Sequence, residues 1–167
     1  PAPLRRYVLA QLMFVDQIKV YARAGKGGDG SVHFHRGKFR PKGGPDGGDG
    51  GAGGDVILEV DPSTDSLRNY VFNGRLLADD GQKGMGRQCT GRSAEDKVYK
   101  VPPGTLVSRI IEEEDPETGE MNMRFEPVAD LTEVGARFVL CKVGKGGKGN
   151  IHFKTSTHQA PRESTPG

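Results

Sequence analysis

Three stretches of this sequence carry residue types at the spacings of ligand-binding sites, and each fails on its neighbours. Gly48-Asp49-Gly50-Gly51-Ala52-Gly53 satisfies the G-x-G-x-x-G dinucleotide fingerprint. That fingerprint works because a helix begins there and turns its first amides toward a pyrophosphate. Here the strand-like run 55–60 follows instead. Gly25 to Ser31 has the outer glycines of a phosphate-binding loop but no Lys before Ser31, and no other stretch completes that motif. The chain is therefore expected neither to bind nor to hydrolyse a nucleotide. Gly50 to Ile57 matches one copy of a calcium-binding nonapeptide, and a β-roll needs successive copies.

Nucleophiles and metal ligands fare no better. His33 and His35 fall on the same side of an extended segment, yet no cysteine or acid pair stands at a spacing that would complete a metal site. They are expected to be structural, and no metal is expected. Cys89, in Gln88-Cys89-Thr90-Gly91-Arg92, lacks a placed His and reads as a packing residue. No Ser/His/Asp or paired-carboxylate arrangement emerges, so no catalytic residue is assigned.

The elements that would position any site are unusual. The 167 residues include 26 glycines and no Trp, and only 34% are hydrophobic. The glycine share is about twice the usual roughly 7%. Most glycines fall in three clusters, 25–54, 81–91 and 144–149, recurring between strand-like runs, where a linker would occur once. The runs 13–24, 31–36, 55–61 and 95–143 alternate or carry β-branched residues between turn signals. Pro102-Pro103-Gly104 and Asp115-Pro116-Glu117-Thr118-Gly119 are such signals. Helical periodicity is absent except for one short turn within Ser63 to Tyr70. The expected fold class is all-β, a small barrel or sandwich.

From Gly44 the sequence runs Gly-Pro-Asp, Gly-Gly-Asp, Gly-Gly-Ala, Gly-Gly-Asp, ending at Asp55. A period of three matches the three residues per turn of polyproline II. Two edges of such a helix are bare at Gly44, Gly47, Gly48, Gly50, Gly51, Gly53 and Gly54, while Asp46, Asp49, Ala52 and Asp55 share the third. Four triplets are too few for collagen. What remains is a bundle of left-handed polyproline-type helices side by side, rigid without an apolar core. Residues 25–30 and 144–149 supply neighbours.

Charge points to a partner. The net charge is only +2, but basic residues gather in and beside the glycine clusters. Lys26, Arg36, Lys38, Arg40 and Lys42 surround the first, Lys83, Arg87 and Arg92 the second, Lys145 and Lys148 the third. Bare backbone approaches a polyanion closely, and flanking cations displace its counterions. These ten residues are the polyanion-contact candidates. Internal neutralisation by Asp46, Asp49 and Asp55 is the competing reading. Glu112-Glu113-Glu114-Asp115 opens an acidic segment at 112–120. Cys89 and Cys141 form neither a disulfide framework nor a zinc signature, so a reduced, intracellular setting is expected. No apolar run reaches the length of a membrane span, and no membrane partner is expected.

Phe14-Val15-Asp16, Ala24-Gly25-Lys26-Gly27-Gly28-Asp29-Gly30 and the run from Phe39 to Gly51 resemble the start of Obg-family GTPases. The resemblance continues through Gly81-Gln82, Cys89-Thr90-Gly91, Val101-Pro102-Pro103-Gly104-Thr105, Ala129-Asp130-Leu131, Lys145 to Asn150 and Ala160-Pro161-Arg162. It covers residues 13–167, and residues 1–12 read as a leader or non-native extension. Two departures stand out. His33 and His35 replace residues that are more usually small or polar and Arg, and 112–120 lengthens a hairpin. The resemblance implies a glycine-rich bundle standing on a β-barrel, the Obg fold, with a C-terminal GTPase domain beyond Ala160-Pro161-Arg162. That absent domain would bind GTP and magnesium. In the family, the GTP-bound protein joins the large ribosomal subunit during late assembly and stress. The glycine-rich domain enters the region of the tRNA acceptor ends. The implied partners are rRNA and the chain's own GTPase domain; the implied location is the bacterial cytoplasm, on the ribosome, with an organelle as the alternative. A protein–protein module regulating that GTPase domain is the second function class.

Overall fold

The computed structural model describes residues 5–11, 17–38, 43–114 and 121–167. Arg40, Lys42, the Met13 start and the turn at 115–119 lie outside them. Alternation sets the strands. In β2 (Ile18–Arg23) Val20 and Ala22 face inward while Lys19 and Tyr21 are exposed; in β3 (Val56–Val60) every second residue is buried. The remaining strands are β1 (Arg5–Gln11), β4 (Arg75–Leu77), β5 (Lys97–Val101), β6 (Thr105–Glu114), β7 (Met121–Leu131) and β8 (Arg137–Cys141), with one short helix, α1 (Arg68–Phe72). They make a five-stranded sheet, β4-β2-β1-β6-β7, and a three-stranded sheet, β5-β3-β8. Val20, Ala22, Leu76 and Val107 of the first and Val56, Leu58, Val101 and Leu140 of the second share one core with Leu67 and Tyr70. The all-β expectation holds, with strand at 34% of residues against 6% helix.

Residues 5–11, within the stretch read as a leader or non-native extension, form β1, paired antiparallel with both β2 and β6 in the middle of the larger sheet. One expectation changes. Residues 31–36, read as a strand, form none; one isolated bridge joins Phe34 to Pro45. Pairing is withheld because this segment has already left the sheet for the bundle.

The bundle continues the strands. β2 runs on into 25–31, 44–55 runs into β3, β4 into 78–85, 88–97 into β5, and β8 into 144–150. The hydrogen bonds change period at the junction. Gly25, Gly28 and Ser31 donate N–H to the carbonyls of Gly54, Gly51 and Gly48, and these three donate to Asp79, Gln82 and Met85. Gly81 and Gly84 donate to Lys26 and Asp29; Gly91 and Ala94 donate to Asp49 and Ala52; Gly50 and Gly53 donate to Gly147 and Gly144. Every ladder advances three residues at a time, the repeat of polyproline II. At about 3.1 Å per residue, segment 44–55 extends roughly 35 Å from the sheets.

Candidate nucleic-acid interface

The bundle glycines are required for space. Among the described glycines only Gly104 and Gly135 have positive φ, 82° and 79°, and both stand in open turns. A Cβ on Gly50 would instead overlap the carbonyl of Gly28, one on Gly47 that of Ser31, and one on Gly53 that of Gly25. Gly48, Gly51 and Gly54 face the carbonyls of Cys89, Arg92 and Glu95 in the same way. Two bare edges are thus each pressed against a neighbouring backbone. Gly44 differs, since among the described residues a Cβ there would meet only Lys154 Nζ, at 3.8 Å.

The third edge carries the acids, and what they bind bears on whether they neutralise the bundle's cations internally. Asp46 Oδ1 lies 2.5 Å from His33 Nδ1. Asp49 accepts the Gly149 amide at 2.7 Å and lies 2.9 Å from His152 Nε2. Asp55 accepts the Val143 amide at 2.5 Å. The acids therefore meet backbone amides and imidazoles. Gly149's amide, and behind it His152 and Lys148, holds the Asp49 carboxyl below the usual range. Asp29 is lowered in the same direction by the Gly167 amide, then by Lys26 and Lys83.

Lys26 lies 3.7 Å from Asp29, and Arg92 lies 3.9 Å from Glu95. Lys38 is exposed near the far end. Arg36, Lys83, Arg87, Lys145 and Lys148 are exposed and make no ion pair among the described residues. Lys83, Lys145 and Lys148 lie along the shaft, while Arg36 and Arg87 lie at the end remote from the sheets. Arg87 and Gln88 form the turn between segments 78–85 and 88–97, both left-handed at φ 58° and 60°. Such backbone costs a non-glycine residue on the order of 1 kcal/mol. The turn is fixed by Gln88 N–H to the Asp46 carbonyl at 2.7 Å and Met85 N–H to the Cys89 carbonyl at 2.9 Å.

Sequence reasoning missed two structural residues. Asn150 is fully buried at the start of a 3₁₀ helix, Asn150–Phe153. Its Oδ1 accepts the Gly47 amide at 2.8 Å, and its Nδ2 donates to the carbonyls of His33 and Pro161. Asp80 accepts the Lys26 amide at 2.7 Å and pairs with Arg23 at the foot of the bundle. Residues 165–167 also join the bundle, Gly30 N–H donating to the Thr165 carbonyl. Cys89 is an exposed free thiol, and no group of three His, Cys, Asp or Glu among the described residues is placed to hold a metal ion.

Residues 15–167 match the family model described as GTP1/OBG. A GTPase Obg of Akkermansia muciniphila is 51% identical over 160 residues, covering 93% of this chain and 46% of the relative. A GTPase Obg of Acetivibrio thermocellus is 49% identical over 155 residues, covering 93% of this chain and 34% of the relative. The chain thus spans less than half the length of these relatives. On the family match and these identities, the chain belongs to the GTP1/OBG family.

Proposed function

We propose that this chain is the ribosome-docking arm of an Obg-family GTPase, touching rRNA of the large subunit through the cations of its glycine-rich bundle. The observation that carries this reading is the division of charge. Asp46, Asp49 and Asp55 are occupied by amides and imidazoles, while Arg36, Lys83, Arg87, Lys145 and Lys148 are exposed and form no ion pair among the described residues. Cations free of intramolecular pairing neutralise phosphates at no internal cost. A stiff rod held by backbone ladders also reaches into a narrow RNA cavity without paying the ordering entropy of a flexible arm. The GTPase reaction, its GTP and magnesium, and a role in late subunit assembly and stress belong to a further domain. This chain binds no nucleotide itself, and its place is the cytoplasm, on the ribosome.

Co-sedimentation of the purified chain with large ribosomal subunits tests the reading. Binding that weakens steeply with salt is expected; no binding at low salt would refute it. A second reading rests on the exposed apolar residues Met121, Met123 and Phe125 of β7, which suit docking of the attached GTPase domain. An apolar contact of that kind is far less sensitive to salt.

A further inference from the structure

At the end of the bundle remote from the sheets, Val32, His33, Phe34, His35, Arg36, Asp46 and Arg87 line a cleft of 520 Å³. Asp46 is the only carboxylate among the described residues that line it. The Asp46 side chain is 9% exposed, whereas those of His33 and His35 are 49% and 56% exposed. Both rings turn Nδ1 toward this one buried group, His33 at 2.5 Å from Oδ1 and His35 at 3.6 Å from Oδ2. Apart from that longer approach, Oδ2 has no hydrogen-bond partner among the described residues. Backbone bonds immobilise the carboxylate, Asp46 N–H donating to the His33 carbonyl and Gln88 N–H to the Asp46 carbonyl. Gly86 lies against the His33 imidazole, where a Cβ would come within 2.7 Å of the ring. The His33 ring is thus set by Asp46, and with its Nδ1 on the carboxylate its Nε2 is directed away from it; His35 turns Nδ1 toward the same group at a distance too long for a hydrogen bond.

We infer that this cleft is a phosphate site, in which the Nε2–H groups of charged His33 and His35 and the guanidinium groups of Arg36 and Arg87 hold one phosphate group. A tetrahedral anion with several acceptor oxygens matches four donors, and guanidinium is the side chain best shaped for it. A metal ion fits less well, because two imidazole nitrogens lack a third protein ligand among the described residues. The chemistry couples the site to protons. With Nδ1–H given to Asp46, a neutral His33 ring offers Nε2 only as an acceptor, which opposes a phosphate oxygen; a charged ring donates at both nitrogens. Phosphate binding therefore takes up protons and tightens as pH falls through the range in which imidazoles charge. Arg36, Arg87 and Asp46 are the other charged groups lining the cleft among the described residues. The phosphate is either an RNA backbone group, in which case the site deepens the docking function proposed above, or a free phosphate.

Imidazole ¹⁵N NMR of the whole chain, titrated with inorganic phosphate in one arm and a single-stranded RNA oligonucleotide in the other, tests the site. At pH 6 the Nε2 resonances of His33 and His35 should move, and affinity should fall about tenfold or more by pH 8, the worth of one charge-assisted hydrogen bond. Response to RNA alone identifies the backbone as the source, and response to phosphate alone identifies a free anion. Asp46→Asn should weaken the response at pH 6. The double variant His33→Gln, His35→Gln should keep the fold and lose the pH step, while Arg87→Ala should bind more weakly yet keep it. Unmoved His33 and His35 resonances at pH 6 would overturn the site. So would a pH step that survives the double variant, which would assign it to His152, paired with Asp49, or to His158. If phosphate moves these resonances but the chain fails to sediment with large subunits, the site stands and the docking reading falls. Subunit binding with silent histidines gives the reverse.

Discussion

Asn150 Oδ1 accepts the amide hydrogen of Gly47 at 2.8 Å, tying two bundle segments 103 residues apart in sequence. The same side chain donates to His33 and Pro161, so one buried amide satisfies three backbone groups on different segments. Asn150→Ala leaves the Gly47 amide and the Pro161 carbonyl without that partner, at about 1–3 kcal/mol for each that water fails to reach, while the His33 carbonyl keeps the Asp46 amide. The expected loss is about 2 kcal/mol or more, read as a lower urea midpoint at unchanged slope. A variant within about 0.5 kcal/mol of wild type would show that the network contributes little.

Space, not backbone freedom, explains the glycines at 47–54. Gly50→Ala places a methyl group on the Gly28 carbonyl and forces two ladders apart, which is expected to cost at least about 2 kcal/mol. Gly44→Ala, where among the described residues a Cβ meets nothing nearer than Lys154 Nζ, should stay within about 0.5 kcal/mol. Thermal melts of the pair separate the explanations. Equal losses at both positions would point to chain entropy.

Much of this was legible in the sequence because the period of three is itself the structure. Residues 44–55 announce which edges are bare, and Asp46, Asp49 and Asp55 do share one edge. The partners of those acids were not legible. They are amides of Val143 and Gly149 and the ring of His33, brought near by ladder pairings that local pattern does not encode. Asn150 carried no signal, being a single polar residue after glycine. Tyr7-Val8-Leu9 did carry one, as β-prone residues, but the basic pair before it suggested a leader. Residues 31–36 alternate like a strand, yet by then the chain has changed to a three-residue repeat.

Acid should loosen the fold in a specific range. Asp29, Asp49 and Asp61 are held below the ordinary carboxyl range, chiefly by the Gly167 amide, the Gly149 amide and Lys100 respectively. Groups lowered in the folded state stabilise it fully above the unfolded value of about 3.9 and lose that contribution as pH falls toward their folded values. The urea midpoint should therefore be level from about pH 7 to 5 and drop below about pH 4. Asp49→Asn, which still offers Gly149 an acceptor, should drop less steeply. A midpoint that rises on acidification would contradict this.

The alkaline limb has a different origin. Tyr70 is buried, donates its hydroxyl to the Lys100 carbonyl, and is pushed up to about 12 by burial, with a smaller push from Tyr99. A raised value means stability present below the unfolded value of about 10 and lost as pH rises through the folded one. Lys97 and Lys100, raised by Asp79 and Asp61, act in the same direction. Tyr70→Phe should be less stable at pH 7 and lose less between pH 9 and 12. Parallel curves for the two proteins would remove Tyr70 from the account.

The central claim is that unpaired bundle cations meet RNA phosphates, and the salt dependence of subunit binding tests it most directly. Lys83, Arg87, Lys145 and Lys148 replaced together by Ala should leave folding intact, since exposed charges contribute little to stability. Each lost phosphate contact lowers the slope of log affinity against log salt by about 0.7–0.9. Co-sedimentation with the large subunit should accordingly weaken at low salt and flatten, by up to about 3 in slope for four contacts. A quadruple variant that sediments with the subunit as wild type does, at every salt concentration, would contradict the account.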